Sequence, residues 1–338
     1  MIISASRRTD IPAFFSDWFY NRIKDGNVCV RNPMNVHQVS RIKLTPDVTD
    51  CIVFWTKNPA PMISRLDELK DYSYYFQYTV NAYGKECEPC VPPLEQRLDT
   101  FRTLSEKIGK ERVIWRYDPI FLTPQFDVDF HLKSLEHIAS ELKGFTEKCV
   151  FSFVDIYPTK NRTNMSGLHQ REFTQPELDR FVEALAEIAK KNDLILATCA
   201  EKINLARYGI EHNSCIDGKL IERITGCKLK THADGQREGC QCVKCEEIGS
   251  YDTCVHGCVY CYANFRAAVA KENIKRYDVN SPMLCDNIKE DDTVTDGPVK
   301  SLKTGPLDDG STEQLKLFWQ RQPAIFLLKQ GGKQNGCC

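Results

Sequence analysis

Cys149-Val-Phe-Ser-Phe-Val-Asp155 and, after a polar interval, Thr174-Gln-Pro-Glu-Leu178 read as a strand feeding a helix. The first segment is apolar almost throughout, the pattern of a strand covered on both faces. The second opens with Thr174 and Glu177 at capping-box spacing. Leu178, Phe181, Val182, Leu185 and Ile188 then recur on one helical face.

The same unit recurs on both sides. Upstream, Val113-Ile-Trp-Arg116 precedes a helix around Leu132, Leu135, Ile138 and Leu142, and Tyr74 to Val80 precedes one carrying Leu94, Leu98, Phe101, Leu104 and Ile108. Cys51-Ile-Val-Phe-Trp55 leads into a short helix from Pro61. Residues 1–5 begin the series and run into a helix with Asp10 as N-cap, Pro12 in its first turn, and Phe15, Trp18, Phe19 and Ile23 on one face. Residues 28–44 read as a hairpin insertion, and downstream Leu194 to Thr198 is the sixth strand. Six β-then-α units in order predict a parallel sheet covered by helices. No Gly-rich phosphate fingerprint follows any strand, which favours an α/β fold of the partial (β/α)6, TIM-like barrel type over an open sheet.

In such a barrel the C-terminal strand ends open on one face, where active sites are built. That face would collect Arg7, Arg8 and Asp10, then Lys57, Gln77 and Thr79, then Arg116 and Asp118, then Asp155, and finally Glu201. Any one of these could merely cap a strand or pair with a neighbour. Charges at equivalent positions in several units make Arg7, Arg8, Asp10, Lys57, Arg116, Asp118, Asp155 and Glu201 the candidate catalytic set.

The chain has 338 residues and a formal net charge of −1, so charge gives no argument for nucleic acid or an anionic membrane. No apolar run approaches the roughly 20 residues of a membrane helix, and a cytoplasmic location is expected. The 17 cysteines are unevenly spread, with six between Cys240 and Cys261. Such crowding argues for metal rather than a disulfide framework. Cys29, Cys51, Cys149 and Cys199 lie in or beside apolar runs and read as small buried hydrophobes. Cys87 and Cys90 have knuckle spacing but cannot close a site alone.

The densest group is Cys254-Val-His-Gly-Cys258-Val-Tyr-Cys261. A trio in one short loop can hold a metal centre while leaving one position free. Cys240, Cys242 and Cys245 form a second group that could hold a further iron–sulfur cluster with Cys215 or Cys227, a structural zinc, or plain thiols. His256, between two cysteines, reads as exposed.

Spacing of C-x3-C-x2-C with an aromatic, Tyr260, before the last cysteine resembles the signature of radical S-adenosylmethionine enzymes, and Gly257 to Ala263 is similar to the spore photoproduct lyase branch. The chain to about residue 285 also resembles the domain-of-unknown-function 1848 family. That resemblance rests on Ser6 to Pro12, Phe54 to Pro59, Trp115 to Pro119, Cys199 to Glu201, Cys215 to Asp217, and Gly249 to Cys254. It implies a [4Fe–4S] cluster on Cys254, Cys258 and Cys261, with S-adenosylmethionine chelated to the fourth iron. Its reductive cleavage, usually to a 5′-deoxyadenosyl radical, would begin chemistry on an unidentified substrate, in an oxygen-sensitive enzyme. Tyr260, Arg116 and Glu201 are the implied cofactor contacts, and flavodoxin or ferredoxin the implied type of reductant. A small molecule is a better-supported substrate than nucleic acid, because no aromatic-basic stripe is present.

In typical relatives the trio follows the first strand, whereas here it follows all six. The C-terminal segment is therefore expected to fold back and close the barrel mouth from above. The expected division is 1–225 for the barrel, 226–285 for a cysteine-rich cluster segment, and 286–338 for a polar, partly mobile tail. A zinc- or iron–sulfur-stabilised binding or electron-transfer protein without cofactor cleavage is the alternative reading.

Overall fold

The computed structural model describes residues 1–157, 161–201, 203–234 and 240–307. Strand β1 (Ile2–Ala5) leads through α1 (Ile11–Phe14) and α2 (Ser16–Asp25) to an antiparallel hairpin, β2 (Asn27–Arg31) and β3 (Gln38–Lys43). Then come β4 (Cys51–Thr56), α3 (Ala60–Ile63), β5 (Tyr74–Thr79), α4 (Leu94–Ile108), β6 (Val113–Ile120), α5 (Val128–Glu141) and β7 (Lys148–Phe153). The series continues with α6 (Arg162–Ser166), α7 (Gln175–Lys191) and β8 (Ile195–Thr198). Past it lie β9 (Glu211–His212), α8 (Gly218–Thr225), β10 (Cys227–Leu229), β11 (Glu246–Glu247), α9 (Ala267–Asn273), β12 (Thr293–Asp296) and β13 (Lys303–Pro306).

All six expected strands form, and they lie side by side in chain order with every ladder parallel. Two short strands extend this sheet, β9 beside β8 and β11 beside β1, giving 8 strands in the order β11-β1-β4-β5-β6-β7-β8-β9. Among the described residues β9 and β11 are not paired with each other, so this is an α/β fold with a large parallel sheet and no closed barrel.

Side chains alternate between the two faces of each strand, and each face has its own covering. Ile3, Ile52, Phe54, Phe76, Tyr78, Trp115, Tyr117 and Phe151 pack against the apolar faces of α2, α4, α5 and α7. Phe54 is stacked on Phe76 at 4.8 Å and edge-on to Phe19 of α2 at 5.2 Å. Truncating such a ring to alanine costs about 3–5 kcal/mol. On the other face Ile2, Val53, Tyr75, Ile114 and Val150 meet Cys199, Cys215, Ile216, Ile221 and Cys242. α2, α4, α5 and α7 thus share one face, while α8 and part of the cysteine-rich stretch cover the other.

α7 begins with the capping box expected of Thr174 and Glu177, a device worth about 1 kcal/mol. Within the C-terminal stretch, β12 pairs parallel with β3 and β13 antiparallel with β10. Arg31 in β2 reinforces this through Asp286 at 2.6 Å and Asp292 at 2.8 Å. The sequence suggests a short docking helix around Leu315 to Trp319 and an apolar segment at Ile325 to Leu328; both, with Cys337 and Cys338, lie outside the described residues. No helix among the described residues is long and apolar enough to cross a membrane.

Candidate metal centre and its surroundings

The loop carrying Cys254, Cys258 and Cys261 sits against the segments that follow β1, β4 and β5, as the chain order alone could only suggest. Its backbone is stitched to the Cys87–Cys90 turn, where Cys90 N–H donates to the His256 carbonyl and Val259 N–H to the Cys87 carbonyl, both at 3.0 Å. Gly257 turns the loop with φ +74°, and a Cβ there would stand 3.1 Å from Pro89 Cγ. Left-handed backbone combined with so close a neighbour favours glycine. Asn264 Nδ2 closes the far side by donating to the Cys254 carbonyl at 2.6 Å.

Two polar anchors fix the loop to the strand ends. Asp10 accepts from Ala13 N–H at 3.0 Å, capping α1, and from Thr56 Oγ1 and Lys57 N–H, both at 2.7 Å, beyond β4. Its Oδ2 also meets His256 Nε2 at 2.8 Å. His256 is therefore buried, not exposed; the carboxylate after β1 draws it inward and Phe14 covers its ring at 4.6 Å. The second anchor is Tyr260, whose hydroxyl donates to Glu88 and accepts from Lys57 Nζ at 2.9 Å and Asn81 Nδ2 at 3.2 Å. Asn161 Nδ2 holds the Tyr260 carbonyl at 3.0 Å. Burial opposes charge on Glu88, but Lys57 at 2.8 Å and Arg97 outweigh it and hold the carboxyl below its ordinary range. Burial likewise opposes charge on Lys57, and Glu88 and Cys258 more than restore it.

The three cysteines are half-exposed as residues, yet their thiols are surrounded by protein. Burial, then Cys261, Asp10 and Cys258, pushes the Cys254 thiol well above its usual value. Burial also raises Cys258, against the pull of Lys57, and raises Cys261. Such thiols resist ionising on their own, and a cationic centre is what converts them to ligands. Among the described residues no three cysteine sulfurs lie mutually within 4.8 Å. A single zinc with Zn–S bonds of about 2.3 Å would draw its sulfurs to within about 3.8 Å of one another. A cleft of about 20 Å³ beside Cys258 and Cys261 is bordered by Asn164, Asn264 and Arg266, and the buried Asn264 Oδ1 has no hydrogen-bond partner among the described residues.

The candidate catalytic residues separate into groups. Asp10 and Lys57 reach the trio loop as described. Arg7 lies between the cysteine groups: Nη2 donates to Cys245 Sγ at 3.3 Å, and its carbonyl accepts from the Tyr262 hydroxyl at 3.0 Å. Arg116 pairs with Asp118 and points to Cys215 Sγ at 3.0 Å, on the sheet face away from the helices. Glu201 accepts from Phe153 N–H at 2.8 Å at the end of β7, and Asp155 is exposed beyond it. Arg8 stacks over Tyr251 at 5.0 Å and lines a different cavity of about 190 Å³ with Arg31 and Met283.

Of the second cysteine group, Cys240 and Cys242 lie on that same inner face, where Cys242 approaches Cys215. Cys245 instead turns to Arg7. Sequence reasoning missed Glu88, Asn81 and Asn161 around Tyr260. Glu88 stands inside the Cys87–Cys90 pair, so that pair's place beside the trio was the signal available.

No curated protein is similar enough to match this chain. Among solved structures, that of a proposed alpha-L-fucosidase from Bacteroides thetaiotaomicron VPI-5482 aligns with 52% of this chain and 81% of its own, at 12% identity and a TM-score of 0.26. So loose a likeness bears on neither fold nor function. The family described as Domain of unknown function (DUF1848) matches residues 2–263, most of the length, and the chain belongs to that family.

Proposed function

We propose that this protein is a noncanonical radical S-adenosylmethionine enzyme whose [4Fe–4S] cluster is held by Cys254, Cys258 and Cys261. The observation that carries the reading is the seating of this loop over the ends of β1, β4 and β5 through Asp10–His256 and Lys57–Glu88–Tyr260. Six parallel strands in chain order, with α2, α4, α5 and α7 on one face, support a partial barrel as the scaffold. When bound, a cluster with one iron free of protein ligands supplies the electron that breaks a carbon–sulfur bond of the chelated cofactor.

The chain's own residues hold and shield that centre. Lys57 lends positive charge beside Cys258, and the Asp10–His256 pair fixes the loop from below. Arg7, Lys57 and Arg116 are each engaged with an acidic partner. Arg266 at the rim of the cleft is consequently better placed to meet a carboxylate, and the unpartnered Asn264 Oδ1 to accept from an amine. At about 20 Å³ the cleft holds a water, not a nucleoside. Cofactor binding therefore requires the Asn161–Asn164 side to part from the cysteine loop. A cytoplasmic setting, a flavodoxin- or ferredoxin-type reductant and a small-molecule substrate complete the reading.

The test is anaerobic reconstitution with iron and sulfide, chemical reduction, and incubation with S-adenosylmethionine. Release of 5′-deoxyadenosine or another cleavage product is expected. A well-formed cluster that leaves the cofactor intact would sink the proposal. Zinc without iron in anaerobically purified protein would favour a binding module.

A further inference from the structure

Cys199 follows β8, Cys215 follows β9, and Cys240 and Cys242 precede β11, so three separate segments deliver cysteines to one place on the inner sheet face. Cys199 Sγ and Cys215 Sγ are 3.1 Å apart. Cys215 in turn interacts with Cys242, and Cys242 with Cys240. All four are unbridged thiols.

The groups aimed at these sulfurs are donors. Arg116 Nη1 approaches Cys215 Sγ at 3.0 Å, Asn213 Nδ2 approaches the same sulfur at 3.4 Å, and Ile216 N–H approaches Cys242 Sγ at 3.3 Å. Donors pointed at sulfur stabilise thiolate rather than thiol, and such hydrogen bonds accompany thiolate ligands of metal centres. The Cys215 carbonyl is fixed from the sheet by the Tyr75 hydroxyl at 2.6 Å and Gln77 Nε2 at 2.9 Å. Ile2, Val53, Ile114, Val150 and Ile221 make the surroundings apolar. Three buried hydrogen bonds to sulfur and two to one carbonyl are more organisation than four small hydrophobes need.

We propose that Cys199, Cys215, Cys240 and Cys242 are the ligands of an iron–sulfur cluster separate from the trio. Four thiolates suit soft metals, either zinc or iron–sulfur. A zinc tetrathiolate would bring every pair of sulfurs to about 3.8 Å. The sulfurs here run from Cys199 through Cys215 and Cys242 to Cys240 with no three mutually within 4.8 Å, and the contacting pairs, Cys199–Cys215 at 3.1 Å and Cys242–Cys240, suit two thiolates on each of two irons. Four cysteines close a cluster's shell, so this centre has no open iron, unlike one on the trio. Cys245 is left out, its sulfur being taken by Arg7.

The proposal does not depend on what the trio does, and its test keeps the two apart. Full-length chain carrying Cys254→Ala, Cys258→Ala and Cys261→Ala is purified without oxygen and assayed for iron, acid-labile sulfide and zinc. Iron and sulfide in equal amounts should remain, and should vanish on adding Cys215→Ala. Zinc without sulfide, or no metal, would overturn the assignment. Should the triple variant prove insoluble, the intact chain answers: Cys242→Ser is expected to lower bound iron by roughly a third to a half. Cys245→Ser should leave it unchanged, and equal losses in both variants would refute the ligand set. If the tetrad's iron survives while the unaltered protein fails to cleave S-adenosylmethionine, only the radical-enzyme reading falls.

Discussion

His256 Nε2 and Asp10 Oδ2, 246 positions apart in the chain, lie 2.8 Å from each other and both residues are buried. The same carboxylate caps α1 and binds Thr56 and Lys57 N–H, so one side chain joins the first helix, the end of β4 and the cysteine loop. Removing it strands several buried donors at once. Asp10→Ala should destabilise the fold by about 3–5 kcal/mol, with Asp10→Asn losing clearly less. Denaturant unfolding measures both, and an Asp10→Ala loss under 1 kcal/mol would contradict this account.

Tyr260 and Glu88 make a graded pair of perturbations. Tyr260→Phe deletes one hydroxyl but leaves Glu88 with Lys57 and Arg97, and should cost about 1–2 kcal/mol. Glu88→Ala takes the acidic partner from buried Arg97 and half-buried Lys57 and should cost about 3–5 kcal/mol. Thermal melts of the two variants test the order, which should not reverse.

Gly257→Ala forces a side chain into left-handed backbone and against Pro89. A strain of about 1–2 kcal/mol is expected, concentrated in the loop. Iron bound after anaerobic reconstitution should fall while far-ultraviolet circular dichroism stays unchanged. Full iron occupancy in this variant would show that the loop tolerates another path.

His131 predicts acid sensitivity. It is fully buried in α5, with Nδ1 3.0 Å from the Tyr117 hydroxyl and Nε2 3.0 Å from the Phe121 carbonyl. Burial lowers its pKa from 6.5 to about 4. Below pH 6.5 the unfolded chain takes up a proton that the folded chain refuses until about pH 4. This residue therefore subtracts nothing above pH 6.5 and up to about 3 kcal/mol as pH falls to 4. In denaturant titrations across that window, His131→Gln should flatten the decline; an unaltered slope would rule out His131 as its source.

The six principal strands were legible because each is an apolar run long enough to stand out, as in Cys51 to Trp55. β9 and β11 have two residues each, too few to carry a pattern, so both sheet edges escaped notice. β12 lies in a stretch of polar composition, which does not register the backbone pairing with β3. Cys199 is buried as its apolar surroundings predict, while its sulfur neighbour, Cys215, comes from a separate segment and leaves no local sign. His256 misled for the converse reason: a histidine between two loop cysteines gives no sign of the carboxylate waiting after β1.

β11 runs parallel to β1, with Ile3 opposite Glu246 and Ser4 opposite Glu247. The ribosome releases these partners 243 residues apart. Asp10, Lys57 and Glu88 emerge early, and the loop they receive emerges only after β8. Pairing over so long a separation is slow and late in folding. A half-made chain therefore exposes the docking surface without its cysteines. Docking of the cysteine loop is thus a closing event, performed on a polypeptide whose six principal strands have already been made.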